Sequence, residues 1–297
     1  MEPVPGRLLN QYREMSMKNI RNCVRLAVSL FAALTIVQSF LSVAKELCPE
    51  TTISVFLYIF AVALLGFAIF IANGFFLEGY LVRSASIPIR SIGMRINVKR
   101  GDIFTEDGVV VVGVNDFFDT VVDDHHISKD SLHGIMIKKY WSGNCLDLDA
   151  QIAHGLVDKQ FEVVSRDGIA KERRYPIGTS VFVKTESGKR FVLVALSRTN
   201  EKTHRVQSIL RDLEDAIRGA LTLARENANG DKVSFPLMGT GNARIKAPEQ
   251  ALFNVILSVI IAECLEKDKV SNEVNIVLYK NALNRMNLFE IEAEWRI

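Results

Sequence analysis

Two uncharged apolar runs near the beginning of the chain dominate its hydrophobic pattern. Leu26–Ala44 and Ile53–Leu77 contain no Asp, Glu, Lys or Arg. As helices they would be roughly 28 and 37 Å long, and the hydrocarbon core of a bilayer is about 30 Å thick. The connecting stretch, KELCPETT, suffices only for a tight turn. The pattern predicts a two-helix transmembrane hairpin, with spans at about 26–44 and 53–77, inside an N-terminal segment covering 1–82.

Two alternatives to a transmembrane hairpin stay open. A buried hairpin in a globular protein would have to be apolar on every face over this length, which is unusual. A cleaved signal peptide would use Ser42-Val43-Ala44 as its small-residue cleavage site. Two features argue against a signal peptide: the first apolar run begins only at Leu26, and a second apolar run follows it directly. The transmembrane hairpin accounts for both runs together.

Basic residues flank the predicted spans asymmetrically, and this sets the expected orientation. The stretch between the spans has Lys45 alone, whereas both outer flanks are rich in Lys and Arg. Lys and Arg concentrate on the cytoplasmic side of membrane proteins, so both termini are expected in the cytoplasm. Gln38 and Asn73 are the strongest polar side chains in the spans. They could hydrogen-bond between helices of a homo-oligomer or lie near lipid headgroups. The flanking basic residues are Arg7, Arg13, Lys18, Arg21 and Arg25 on one side, and Arg83, Arg90, Arg95, Lys99 and Arg100 on the other.

From about Arg83 the pattern changes to short β-branched runs that alternate with amphipathic segments. A continuous apolar run is typical of a strand that is buried on both faces. Strands that alternate with helices predict a three-layer α/β/α sandwich with a mixed sheet, covering 83–297. The predicted strands are 108–115, 179–185, 190–197, 232–237 and 273–279, and the predicted helices are 205–227 and 248–265.

Composition narrows the classes of function. Hydrophobic residues make up 48% and charged residues 24%, which excludes a disordered chain and one lying wholly within a membrane. The formal net charge of +2 gives no global basic field, so no nucleic-acid partner is expected. The four cysteines form no C-x-x-C pair. This disfavours a disulfide scaffold or a zinc site and fits a reducing compartment.

Two loops that follow predicted strands carry the candidate binding chemistry. Ligands of α/β sheets bind at the carboxyl ends of the strands. Asn115 and Asp116 end the first strand, and the other loop contains a Gly-Thr-Gly turn whose backbone N–H groups can approach a phosphate closely. That second loop consists of Met238, Gly239, Thr240, Gly241 and Asn242.

Taken in order, four short motifs resemble a macro domain. Gly101-Asp102-Ile103 is similar to the early G-D-I motif of that family, and the strand ending in Asn115 is similar to the one that carries its ribose-contacting Asn. The turn at 175–179 and the sequence 235–241 resemble, respectively, the P-G-x turn and the second diphosphate loop. The resemblance extends over about Met94 to Tyr279 and implies the α/β/α macro fold.

The resemblance also implies a ligand, namely an ADP-ribose derivative, with no cofactor and no metal. Asp102, with Ile103 beside it, would accept a hydrogen bond from the adenine amino group. Asn115, next to Asp116, would contact the distal ribose. His133 and Gly134 would line the pocket near that ribose. The loop from Met238 to Asn242 would hold the diphosphate, chiefly through Gly239, Thr240, Gly241 and Asn242.

The chain departs from the family pattern in one loop. De-ADP-ribosylating macro domains have a glycine-rich first diphosphate loop, whereas Val121–Gly134 reads VVDDHHISKDSLHG and has no glycine triplet. We therefore expect binding without hydrolysis, and no catalytic residue. Two interpretations of Asp123, Asp124, His125 and His126 stay open, an acid/base or metal cluster and a solvated loop.

Two spans followed by a cytosolic macro domain resemble the membrane effector of bacterial Thoeris antiphage systems. The resemblance implies that a TIR-domain NADase makes an ADP-ribose-derived signal, that the macro domain binds it, and that the spans then oligomerise or rearrange to disrupt the inner membrane. Leu81–Lys99 would be the transmitter between the two parts or a passive linker. The alternatives are a membrane-anchored reader of ADP-ribosylated proteins and an ADP-ribosyl hydrolase.

Overall fold

The structure is a computed structural model, and it separates the chain into two compact units, Met1–Val82 and Arg83–Ile297. The residues that it describes are 5–47, 55–77, 84–141, 145–166, 170–241, 245–279, and the single positions 288, 291 and 295.

Two long helices form the first unit. Helix α1 (Pro5–Leu47) packs against helix α2 (Val55–Ala72), which continues as a π-helical turn to Leu77. The two helices are in close contact at Gly66, where an added Cβ would lie only 2.6 Å from the Leu30 Cδ2 atom. A glycine at this position lets the two helices come close together.

The apolar parts of α1 and α2 are long enough to cross a membrane. They cover Cys23–Ala44, with 22 residues, and Leu57–Phe75, with 19 residues, and only 11% of each apolar window is buried. A core helix of a soluble protein would be mostly buried. The predicted hairpin of two apolar helices is confirmed, while residues 48–52 of the predicted connecting stretch and residues 53–54 of the second predicted span lie outside the described residues.

An eight-stranded mixed sheet forms the centre of the second unit. Its order is β1-β2-β10-β9-β3-β7-β6, with β8 paired to β7, and β4 and β5 form a separate two-stranded sheet. Strands β2, β10, β9, β3 and β7 are parallel, while β1, β6 and β8 are antiparallel to their neighbours. The bounds are β1 Ser84–Ile89, β2 Met94–Arg100, β3 Val109–Asn115, β4 Glu162–Val163, β5 Arg173–Arg174, β6 Ser180–Lys184, β7 Arg190–Thr199, β8 Val206–Gln207, β9 Val233–Pro236 and β10 Glu273–Leu278.

Helices cover both faces of this sheet. On one face α3 (Leu132–Trp141) packs on β3 and α4 (Leu146–Gly155) packs on β6, and the alternate residues of β3 from Val110 contribute to their shared core. Helix α5 (Leu210–Asn227) packs on β7 and β6, and α6 (Glu249–Glu266) packs against α5. The predicted α/β/α sandwich with a mixed sheet is confirmed.

The predicted helix 205–227 begins later than expected. Val206 and Gln207 pair with the end of β7 as strand β8, and α5 starts at Leu210. The Asp212 carboxylate accepts a hydrogen bond from the Ile209 N–H at 3.0 Å, which fixes this start. The apolar periodicity of the segment continues through β8, so periodicity alone misplaces the boundary.

The segment Leu81–Lys99 is mostly part of the sheet. From Ser84 onward it forms the β1–β2 hairpin, in which Ser84 pairs with Lys99. This hairpin, α3 and α4 are absent from the sequence-based prediction, because none of them contains a long continuous apolar run.

The five parallel strands end on one side of the sheet, which we call the carboxyl edge. Its loops follow Arg100 of β2, Leu278 of β10, Pro236 of β9, Asn115 of β3 and Thr199 of β7. Both loops that the sequence singled out therefore lie at the same edge, where α/β sheets bind their ligands.

Candidate functional site

Asn115 and Asp116, at the end of β3, are buried and bonded to protein groups. The Asn115 Nδ2 donates to Asp119 Oδ2 at 2.8 Å, and its Oδ1 accepts from the Asp119 N–H at 3.0 Å. The Asp116 Oδ1 accepts from the Thr199 N–H at 3.0 Å. Burial raises the pKa of Asp116, against the opposing hydrogen bonds from Thr199 and the nearby Arg174 guanidinium. Both predicted ligand residues thus also shape the loop that follows β3.

A buried ion pair holds that loop in place. The Arg166 guanidinium binds Asp119 through both Nη atoms, at 3.1 and 3.0 Å, and the exposed fractions of the two side chains are 0% and 2%. The same guanidinium donates to the Lys171 carbonyl at 2.8 Å and contacts His204 Nδ1 at 3.2 Å. An arginine that donates two parallel hydrogen bonds to one carboxylate forms one of the strong ion pairs in proteins.

Two guanidinium groups lie near the Phe117 ring. The Cζ atoms of Arg166 and Arg174 lie 4.0 and 5.0 Å from its ring centroid. Arg174 also donates to the Thr199 carbonyl at 3.0 Å and pairs with Glu201 at 2.9 Å. The segment around β4 and β5 is thereby fastened to the loops after β3 and β7. Sequence analysis missed both arginines, because nothing in the local pattern connects them to residues so distant along the chain.

The backbone of these loops is strained at non-glycine residues. Phe118, Asp124 and His204 have φ values of 53°, 65° and 53°. Left-handed backbone is costly for residues with a Cβ and concentrates at ligand-binding sites. At Phe118 the carbonyl accepts a hydrogen bond from Lys171 Nζ at 2.7 Å, which helps to hold this conformation.

Three histidine rings meet above the ends of β3 and β7. The ring centroids of His125 and His204 are 4.3 Å apart, and His126 lies 5.1 and 5.0 Å from the other two. Asp123 accepts hydrogen bonds from the N–H groups of His125 and His126 and lies 2.7 Å from His126 Nδ1. Slight burial acts to raise the pKa of Asp123, but these bonds outweigh it and lower the pKa to about 2.

The two aspartates of the Asp-Asp-His-His run make their hydrogen bonds within their own loop. Asp123 closes the turn described above, and Asp124 accepts from the Lys129 N–H at 2.9 Å and pairs with its Nζ at 3.0 Å. Within the described ranges, no group of three or more His, Cys, Asp or Glu side chains is arranged to hold a metal ion.

Buried polar atoms without a hydrogen-bond partner concentrate in this region. In the part of the chain that the structure describes they include His126 Nε2, His133 Nε2, Arg166 Nε and Thr199 Oγ1. Such atoms are rare in proteins because leaving them unpaired is costly. These four belong to the loops after β3 and β7 or to side chains packed against them, so this end of the carboxyl edge offers donors and acceptors to a polar group.

His133 and Gly134 occupy the first turn of α3. Ser131 caps the helix by accepting from the Gly134 N–H at 2.9 Å. A Cβ at Gly134 would lie 2.3 Å from the Ser128 carbonyl oxygen, so this glycine allows close packing of α3 on the preceding loop. Burial lowers the pKa of His133 from 6.5 to about 4, against the opposing effect of the Asp119 carboxylate.

The buried neutral His133 predicts a loss of stability in acid. The unfolded chain takes up a proton at this residue below pH 6.5, whereas the folded chain does so only near pH 4, so stability falls as the pH falls between these values. The difference is worth about 3 kcal/mol. Thermal unfolding of the detergent-solubilised chain between pH 7 and 4 should show this fall. The His133→Leu variant should lack the contribution of His133 to this loss of stability. An unchanged pH profile in the variant would show that His133 is not its cause.

The loop after β9 provides a backbone surface. Met238 and Gly239 are buried, whereas Thr240 and Gly241 are exposed. Gly239 has a φ of +90° and lies close to Ile245, while a Cβ at Gly241 would meet no heavy atom of the described residues within 4 Å. The space beside Gly241 is therefore open. Asn242 lies outside the described residues.

Asp102 caps a short turn after β2. Its Oδ1 accepts from the Phe104 N–H at 3.0 Å, its Oδ2 lies 4.0 Å from Lys139 Nζ, and the side chain is 50% exposed. One carboxylate oxygen is thus used locally and the other stays accessible. Ile103 is buried in the core.

Tyr279 is a candidate that sequence analysis missed. It directly follows β10 and is 66% exposed, although the strand before it is buried. Because β10 lies between β2 and β9, Tyr279 is placed between the loop of Asp102 and the loop of Gly239–Gly241. An aromatic residue directly after a buried strand was the available signal in the sequence.

Comparison with known proteins identifies the family of this chain. The family model described as "Thoeris protein ThsA, Macro domain" matches residues 96–279. The Thoeris protein ThsA of Bacillus amyloliquefaciens (strain Y2) is 28% identical over 213 residues, 70% of this chain and 70% of that protein. The Trypanosoma brucei macrodomain in complex with ADP-ribose matches with a TM-score of 0.43 and 12% identity, covering 66% of this chain and 68% of that chain. The macro domain of ganglioside induced differentiation associated protein 2 matches with a TM-score of 0.42 and 12% identity, covering 65% and 81%. Because the family model covers more than half of the sequence, the chain belongs to the Thoeris ThsA macro-domain family.

Proposed function

We propose that this chain is a membrane effector of a Thoeris-type antiphage system that is switched by a nucleotide. Its macro domain captures an ADP-ribose-derived signal made by a TIR-domain NADase. Capture then drives oligomerisation or rearrangement of α1 and α2, and the inner membrane is disrupted. Membership of the ThsA family provides the setting for this proposal.

The order of the loops along the carboxyl edge carries the proposal. From β2 to β3 the edge presents the Asp102 carboxylate, the Tyr279 ring, the Gly239–Gly241 backbone and the Asn115 loop, in that order. Neighbouring strands lie about 4.8 Å apart, so these groups extend over about 14 Å. A base, a diphosphate and a second ribose follow one another in the same order along ADP-ribose. The edge therefore suits an extended dinucleotide-like ligand.

The diphosphate is assigned to the loop after β9. Thr240 and Gly241 are exposed, and the described part of this loop has no carboxylate that would repel a phosphate. Backbone N–H groups in a glycine turn bind anions without a side chain in the way. The loop also leads to the N-terminus of α6, whose dipole favours negative charge and whose first turn carries Glu249.

The distal end of the ligand is assigned to the region above β3 and β7. The unpaired buried atoms His133 Nε2, Arg166 Nε and Thr199 Oγ1 lie in this part of the fold. A ribose hydroxyl, or a polar group attached to that ribose, supplies both donors and acceptors to such atoms. Binding without turnover is expected here, because Asp123 and Asp124 are engaged in the loop.

Tyr279→Ala should weaken ADP-ribose binding about 5- to 150-fold, because stacking of a base on an aromatic ring contributes about 1–3 kcal/mol. Tyr279→Phe keeps the ring and should bind within about twofold of the parent. Calorimetric titration of the detergent-solubilised variants measures both. If Tyr279→Ala bound ADP-ribose as tightly as the parent chain does, the base would not stack on Tyr279.

Calorimetric titration followed by mass spectrometry tests the proposed function. The detergent-solubilised chain is titrated with ADP-ribose and with the products of a TIR-domain NADase. Binding with an unchanged ligand is expected. Chemical conversion would favour the ADP-ribosyl hydrolase, and the absence of binding to every compound would overturn the proposal.

The membrane output needs a separate test. Replacing 1–82 by an unrelated two-span anchor should abolish antiphage protection in bacteria, because α1 and α2 deliver the response. Retained protection would favour the anchored reader of ADP-ribosylated proteins, for which any anchor suffices.

A further inference from the structure

Helix α1 carries a polar face in its apolar part, which we call the α1 polar stripe. Its members are exposed and follow the i, i+3, i+4, i+7 spacing of one helix face. At about 100° per residue, the stripe lies on nearly the opposite side of α1 from Ser29 and Ala33, which are buried in the hairpin. The stripe consists of Thr35, Gln38, Ser39 and Ser42.

The three hydroxyl groups of the stripe are satisfied by their own helix. Thr35 Oγ1 donates to the Phe31 carbonyl at 2.6 Å, Ser39 Oγ to the Thr35 carbonyl at 2.8 Å, and Ser42 Oγ to the Gln38 carbonyl at 3.0 Å. The Gln38 side-chain amide differs from them: within the described residues it has no hydrogen-bond partner.

Gln38 lies well inside the predicted span. The apolar segment ends at Ala44, so Gln38 is about 9 Å from that end along the helix axis. Acyl chains offer neither donors nor acceptors, and an unpaired amide in hydrocarbon is costly. Helix α2 cannot supply the partner, because it packs on the other side of α1.

We infer that a second copy of this chain covers the α1 polar stripe, and that two Gln38 amides bind each other across the interface. A primary amide both donates and accepts, so one residue type satisfies itself across a two-fold axis. The small Ser39 and Ser42 side chains let the two α1 helices come close together. The inference rests on the membrane-spanning part of the proposed function. The interface forms without nucleotide, so capture of the signal then rearranges or enlarges an assembly that already contains it.

Self-association of the full chain in vesicles tests this interface. Donor- and acceptor-labelled chains are placed in phosphatidylethanolamine–phosphatidylglycerol vesicles, and energy transfer is followed as lipid dilutes the protein. Gln38→Leu should weaken association roughly 3- to 30-fold, the range expected for one hydrogen bond between membrane helices. Gln38→Asn keeps the amide and should retain most of the association. Asn73→Leu is the matched control, because it removes an amide from the π-helical turn after α2, outside the stripe.

Three results would overturn the inference: a monomeric parent chain at every dilution, association of Gln38→Leu equal to that of the parent, or an equal loss in Asn73→Leu. The first would also be the outcome if a different membrane protein covered the stripe. Because the vesicles contain no nucleotide, failure of ADP-ribose binding leaves these results unchanged, so the two proposals fail separately. Far-ultraviolet circular dichroism of each variant verifies that the chain is folded.

Discussion

Gly241→Glu should weaken ADP-ribose binding about a thousandfold and leave the fold intact. Among the residues that the structure describes, a Cβ at this position meets no heavy atom within 4 Å, so the added side chain has space on that side. It therefore strains nothing in the protein and occupies the proposed place of the diphosphate. Two like charges about 4 Å apart near a protein surface repel by about 4 kcal/mol, which corresponds to that factor in Kd.

Two further variants separate charge from size at this position. Gly241→Ala adds only a methyl group and should bind nearly as the parent does. Gly241→Gln has the size of the glutamate without its charge, so its affinity should lie between the two. Calorimetric titration gives the three affinities, and the thermal midpoint verifies folding. Normal binding by Gly241→Glu would mean that the diphosphate does not lie on this loop.

Arg166→Leu should lower the free energy of unfolding of the macro domain by about 3–5 kcal/mol. The substitution leaves the Asp119 carboxylate buried at 2% exposure without its guanidinium partner. It also removes the group that stacks on Phe117 and donates to the Lys171 carbonyl. At about 2–4 °C per kcal/mol for a domain of this size, the thermal midpoint should fall by about 6–20 °C.

The double variant Arg166→Leu with Asp119→Leu tests the cause of this loss. Removing both charges leaves no uncompensated ion, so the double variant should be more stable than Arg166→Leu alone. Recovery should be partial, because the Asn115 Nδ2 and the Lys171 N–H also donate to Asp119 and would lose that partner. A double variant less stable than Arg166→Leu would show that the unpaired Asp119 charge is not the main cause of the lost stability.

The parts of the fold that the sequence predicted share one property. Each strand or helix that was found has a long apolar run or a regular apolar period, as in Val109–Asn115 or Glu249–Glu266. The β1–β2 hairpin was missed because its inward residues form no continuous apolar run, although their alternation with outward residues was an available strand signal. Its place in the sheet is decided by pairing with β10, far along the chain.

The predicted site was found in the same way, from loops that follow strands. Sequence patterns brought out Asn115 and Gly239–Gly241, and the structure puts both loops on one edge. Those patterns could not indicate that both amide atoms of Asn115 bind Asp119. Nor could they indicate that Gly134 serves helix packing, since that depends on the distance to the Ser128 carbonyl.

Local sequence is enough to predict that two apolar helices precede an α/β domain of the macro type, because apolar periodicity and short turn motifs are properties of neighbouring residues. Which side chains meet at the carboxyl edge depends instead on the complete fold. Tyr279 comes to lie between two loops because of the strand order β2-β10-β9, and Arg166 reaches Asp119 from the segment between β4 and β5, 47 residues along the chain. Such contacts arise from the packing of the whole sheet, and no short stretch of sequence contains them.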